Sequence, residues 1–144
     1  MSSERKVDPF AALILVLSII GIILIATQYF ASFYLGGGYY RHSCLDCGYA
    51  TGVDLAAQVM MIVLFIIQII IVINDLLPNR FVEKNLSVIG LGLAALTMLL
   101  SIIGIAAFGA EYSGFEWWPE AGFYGGIVGG LLNTVLFYLK YRNR

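Results

Sequence analysis

Four stretches of this chain are long and apolar enough to cross a hydrocarbon core, and that single feature removes most of the folds open to 144 residues. A bilayer requires about 20 mostly apolar residues per helix, at 1.5 Å rise each. The runs cover about residues 10–34, 55–73, 86–108 and 121–139, and the first of them carries no charge. The second is rich in β-branched residues, which favour a strand in water. In lipid the backbone must satisfy its own hydrogen bonds, so an unbroken run of this length reads as a helix. Arg5 and Lys6 precede the first run, as in a signal peptide. Its apolar core is far longer than the roughly 7–15 residues of such a segment, so it reads as a retained helix.

Composition agrees. Apolar types make up 60% of the chain and charged residues 12%, against about 45–50% and 25% in soluble domains. There is too little polar surface to coat a water-soluble domain. The same figures exclude disorder, a nucleic-acid-binding domain with a basic face, and a disulfide-dense secreted module. The expected fold is an all-α integral membrane protein: one four-helix transmembrane bundle over 1–144, with a small extracytoplasmic cap.

Charge placement gives the orientation. An even number of spans puts both termini on one side, together with the turn at about 74–85. Arg5, Lys6, Arg80, Lys84, Lys140, Arg142 and Arg144 fall on that side, and only Arg41 falls opposite. Seven of eight basic residues thus mark the termini side as cytoplasmic. Asp46, Asp54, Glu111, Glu116 and Glu120 make the external loops, about 35–54 and 109–120, acidic. Tyr112, Phe115, Trp117 and Trp118 at the outer end, with Tyr138 and Tyr141 at the inner end, fit interfacial aromatic belts. Pro9, Pro78 and Pro119 read as helix boundaries. The small cap is expected to be made of these two outer loops.

The fourth span carries Gly122, Gly126 and Gly130 in one row and Gly125 and Gly129 in another, a smooth face that lets a second backbone approach closely. Gly90, Ala94, Thr97, Ser101 and Gly104 line one side of the third span and suit it as a partner. Two uses of these faces stand open: packing spans three and four inside one bundle, or receiving another membrane protein or another copy. The span centres hold no Asp, Glu, Lys, Arg or His, which argues against a pump or antiporter. Their polar residues are Gln28, Gln58, Gln68, Thr97, Ser101, Asn133 and Thr134. Such groups bond across helices at about 0.6 kcal/mol each; an oligomeric channel lined by them remains a third functional reading.

The chemically suggestive segment is Tyr39-Tyr40-Arg41-His42-Ser43-Cys44-Leu45-Asp46-Cys47, with both cysteines and the only histidine. Cys44 and Cys47 are open to a structural disulfide, to thiol–disulfide chemistry, to a metal site with His42, or to free thiols. Gly36-Gly37-Gly38 lack the Lys-Ser/Thr of a phosphate loop and read as a flexible exit from the first span. Glu116 and Glu120, four apart beside the tryptophans, read as a solvated loop edge. No cofactor is expected from the residues themselves, and the partners expected are the bilayer and another membrane protein or copy.

In topology and hydropathy the whole chain resembles the claudin-type tetraspan proteins: four spans, both ends inside, two cysteines in the first external loop, a shorter second loop, and glycine-rich later helices. That resemblance implies a non-catalytic role in lateral and face-to-face association, at cell contacts or as an auxiliary channel subunit. A second resemblance is to the quinone-linked disulfide-forming membrane proteins of bacteria, which carry a C-x-x-C in the first external loop. It implies that Cys44 and Cys47 oxidise a partner's thiols and pass electrons to a quinone. The first reading leads: a tetraspan scaffold or accessory subunit, associating through its glycine faces and through external contact residues Tyr39, Tyr40, Trp117 and Trp118. A reporter enzyme fused after Arg144 is expected to be active only on the cytoplasmic side; activity only beyond the membrane overturns the orientation.

Overall fold

The computed structural model describes residues 8–35, 38–42, 52–79, 81–82 and 86–142. In chain order the elements are α1 (Pro9–Thr27), β1 (Ala31–Leu35), β2 (Gly38–His42), α2 (Gly52–Leu76), α3 (Ser87–Glu111), β3 (Glu116–Pro119) and α4 (Ala121–Arg142). All four helices are long and apolar enough to span a bilayer. The chain is a multi-pass membrane protein built mostly of helix.

The start of α1 is specified locally. Asp8 caps it, accepting from the N–H groups of Phe10 at 2.9 Å and Ala11 at 3.4 Å, and Pro9 takes a first-turn position that has no N–H to satisfy. The helix ends earlier than the apolar run does. It stops at Thr27, where Gln28 turns extended and its N–H closes on Leu24 O. Nineteen residues rise about 28 Å, nearly a full hydrocarbon thickness, so membrane length is already met. Residues 31–35 then leave as β1, which corrects the reading of one helix over 10–34. Hydropathy does not separate a buried strand from a helix end, and the aromatic, β-favouring ASFYL segment satisfies its backbone by pairing. The other helices extend a few residues past the apolar windows, because helical hydrogen bonding continues into polar flanks.

A sheet of three antiparallel strands, in the order β2-β1-β3, caps one end of the bundle. The two external loops contribute β2 and β3 to it. The first loop is too short for a sheet of its own, but β1 is drawn from the end of the first apolar run and β3 from the second loop. Ala31–Leu35 pairs with Gly38–His42 on one side, and Ala31–Tyr34 with Glu116–Pro119 on the other. Pro119 falls on an edge strand, where a missing N–H is tolerated.

The helices form a closed ring in which each packs against two others: α1 on α2, α2 on α3, α3 on α4, and α4 back on α1. Polarity runs opposite to that of a soluble bundle. Leu13, Ile23, Ile70, Val88, Ile103 and Leu131 face outward, while Ser18, Gln58, Gln68, Thr97, Ser101 and Asn133 are fully buried. Lipid tails leave no hydrophobic drive toward the interior, so close packing and interhelical hydrogen bonds hold it instead.

Glycine makes that packing close. A Cβ at Gly130 would lie 2.7 Å from the Met98 backbone nitrogen, and one at Gly126 would strike Met61 Sδ and Ser101 Oγ. Gly122, with Gly125 and Gly129 in the second row, meets the α1 exit, Leu24 and Phe65. Gly90 lies under the Phe137 ring and Gly104 against Phe30 and Ala57; Ala94 joins an apolar cluster with Ala11, Ile14, Val72 and Phe137. The glycine rows are therefore turned into the bundle, against both α3 and α1. Gly92 has open space around it. Gly130→Val is expected to lower stability by about 1–3 kcal/mol, by forcing α3 and α4 apart. Gly92→Val is expected to leave it unchanged; denaturant titration of both variants in detergent checks the pair.

Candidate functional site

Three levels along the bundle axis gather the polar chemistry. The middle level takes one side chain from each helix. Asn133 Nδ2 on α4 donates to Ser18 Oγ on α1 at 2.9 Å and to Gln68 Oε1 on α2 at 2.8 Å. Gln68 Nε2 donates to Thr97 Oγ1 on α3 at 3.0 Å, and Thr97 in turn donates to Leu93 O within its own helix. All four residues have no solvent exposure. One turn toward the sheet, Ser101 Oγ donates to Phe123 O and ties α3 directly to α4. Asn133 and Gln68, the amides that a channel reading would place along a pore, are bonded to each other inside a single bundle.

At the end bearing the termini sits a charge triad. Lys140 Nζ on α4 lies 2.5 Å from Asp8 Oδ2 at the head of α1 and 2.9 Å from Asp75 Oδ2 near the end of α2. The Lys140 and Asp75 side chains are buried, and Asp8 is about one-third exposed. Lys140 also completes the macrodipole of α4, a cation in its last turn. Two opposing effects act on Asp8. Partial burial raises its pKa, but the hydrogen bond and charge of Lys140, together with the N–H groups of Ala11 and Phe10, lower it further and hold it below its usual 3.8. Beside the triad, Asn74 accepts from Val82 N–H at 3.0 Å and donates to Val82 O at 2.9 Å, pinning the short turn between α2 and α3. Because Asp8 and Lys140 meet, the start of α1 and the end of α4 lie at the same end of the bundle.

The sheet end is aromatic. Phe33 on β1 stacks on Tyr112 with ring centroids 4.1 Å apart, and Phe108, Phe115 and Trp117 complete the cluster. Trp117 lies over Gly109, where a Cβ would come within 2.5 Å of the indole ring. Trp118 Nε1 donates to Glu120 Oε1 at 2.7 Å, and Ser32 Oγ donates to the same oxygen at 3.1 Å. Two backbone bonds, Glu120 N–H to Phe30 O and Gly122 N–H to Tyr29 O, fasten the start of α4 to the exit of α1.

Against this geometry the sequence-derived residues divide. Tyr39 and Tyr40 fall in β2 opposite Tyr34 and Phe33, and Trp117 and Trp118 fall in β3 opposite Phe33 and Ser32. One three-stranded sheet therefore collects all four. Trp117 and Trp118 are half-buried, with Trp117 turned onto Phe108 and Trp118 fastened to Glu120. His42 ends β2 at the position paired with Ala31, whereas Cys44 and Cys47 lie outside the described residues, and with them the disulfide, redox and metal readings. Among the described residues no group of three His, Cys, Asp or Glu could hold a metal ion. No known family model, characterised protein or solved structure matches the chain.

Sequence reasoning missed Ser18 and the triad. Ser18 is the one polar residue deep within the first helix, the signal that could have found it. Asn133, Phe137 and Lys140 stand at i, i+4 and i+7, so α4's buried face runs on to its last turn. The Asp8 pKa is lower in the folded chain than in the unfolded chain. Its stabilising contribution is thus present above about pH 3.8 and lost as pH falls through the depressed value. Asp8→Asn is expected to remove that part of the acid limb, so thermal melts of wild type and variant from pH 7 to pH 3 should converge toward acid. Parallel curves would show that the pairing with Lys140 contributes nothing.

Proposed function

We propose that the chain is a non-enzymatic tetraspan scaffold or accessory subunit of the cell membrane, both termini in the cytoplasm, binding its partner through the external sheet. The observation that carries this reading is the sheet itself. Among the described residues both outer strands of the order β2-β1-β3 pair only with β1, which leaves an edge on each above the bundle, and a strand edge is a ready template for another chain. The glycine rows, the other association surface suggested by the sequence, are spent on packing α4 against α1 and α3. Association through the cap is therefore better supported than lateral association through glycine. The basic residues at the termini end support the orientation, and the acidic residues of the sheet end set the charge a partner must match. Tyr39, Tyr40 and Trp118 are its contact residues, since rigid aromatics give large contact area at low entropic cost.

The test is affinity purification in mild detergent from native membranes, with wild type, Tyr39→Ala/Tyr40→Ala and Trp118→Ala compared at equal expression and matched thermal stability. A partner or second copy present with wild type and reduced at least fivefold in the variants is the expected result. Undiminished recovery in every variant overturns the contact assignment. Thiol trapping that catches a mixed disulfide at Cys44 or Cys47 replaces the scaffold with the oxidoreductase.

A further inference from the structure

We propose that the groove between α1 and the sheet-end half of α4 binds one acyl chain of a phospholipid from the adjoining leaflet. The groove opens on the outer surface of the bundle and holds about 330 Å³. Gly21 on α1, with Gly125 and Gly129 on α4, forms its floor, and Leu17, Leu24, Tyr124 and Val128 form its walls. The floor is low for a structural reason: a side chain at Gly125 would strike Leu24, and one at Gly21 or Gly129 would strike the Phe65 ring. The glycines that draw α1 and α4 together thus leave a furrow along the seam.

The dimensions of the groove select the occupant. The lining runs from Ala121 to Gly129, nine residues whose eight steps rise about 12 Å along the helix axis, close to the roughly 15 Å of one leaflet. At about 330 Å³ the groove lies at the small end of ligand pockets, which suits one acyl chain rather than a bulky group. The lining also falls far short of the roughly 1,000 Å² that a stable protein interface buries, which argues against a second copy. Its chemistry is hydrocarbon throughout except for the Tyr124 hydroxyl, so nothing in it offers a partner helix a hydrogen-bonding register. About one turn beyond Leu24 toward the sheet, α1 ends in the exposed polar residues Thr27 and Gln28.

Val128→Trp fills the groove from its open side, and Val128 is half-exposed, so the fold tolerates the change. Leu131→Trp puts the same bulk on the lipid face of α4 outside the groove. The full-length chain in detergent is titrated with 1-palmitoyl-2-oleoyl-phosphatidylcholine, and bound lipid is counted by native mass spectrometry. Wild type and Leu131→Trp are expected to hold one phospholipid, and Val128→Trp to hold it at least fivefold less. Equal retention by the two variants, or no retained lipid in wild type, overturns the proposal. So does a wild-type dimer abolished by Val128→Trp, which would put a second copy in the groove. Partner recovery through the sheet is expected to be unaffected by Val128→Trp, so this proposal and the scaffold reading fail separately.

Discussion

Ser18, Gln68, Thr97 and Asn133 hydrogen-bond to one another at the middle of the bundle, where no water is at hand to take the place of a lost partner. Everything else about the helical ring follows from that constraint. In water a helix would turn Leu13, Ile23 or Ile103 inward; here the surrounding hydrocarbon accepts them, and what cannot face hydrocarbon collects inside. Each cross-helix bond is worth little, about 0.6 kcal/mol, because the separated helices in lipid also find partners. Their value lies in direction. Glycine rows are smooth and permit sliding, whereas Asn133 reaches Ser18 and Gln68 together at one depth and one rotation of α4 only. Dispersion across the glycines supplies proximity, and the amide supplies register.

The two ends of the bundle are closed by different physics. At the termini end a charge triad does it: Lys140 between Asp8 and Asp75 joins three helices where their polar flanks meet the interface. Removing one partner from such a group leaves a buried charge without its complement, which is why charged groups are held in sets rather than singly. At the sheet end closure is aromatic, with Phe30 against Phe123 edge to face and Phe33 stacked on Tyr112 above Phe108. The strands carry their backbone hydrogen bonds laterally, so β1, which follows α1, and β3, which precedes α4, satisfy each other across the top of the bundle. The sheet thus closes this end of the bundle.

Legibility in the sequence followed the scale of the signal. The four spans, their order and the pairing of termini on one side could all be read from hydropathy and chain parity. The glycine rows were visible too, but not their direction, since a smooth face invites a neighbouring helix of the same chain and a foreign one alike. The end of α1 was misplaced because Phe30, Ala31, Phe33 and Tyr34 are as apolar as the helix before them. Only pairing with β2 and β3 marks them as strand. Lys140 was legible only as one of the basic residues on the side of the termini, and its contacts with Asp8 and Asp75 put it inside.

What the amino-acid sequence determined by itself is the solvent: an apolar fraction of 60% in four long runs can be satisfied only by hydrocarbon, and local backbone bonding then makes each run a helix. What only the tertiary structure decided is which faces are spent and which remain. The glycines went to α1 and α3, the amides to one another, the tryptophans to the sheet, and a furrow was left where α1 and α4 meet. Those outcomes depend on contacts between residues as far apart as Ser18 and Asn133, whose geometry is set by how four rods close into a ring rather than by any local pattern.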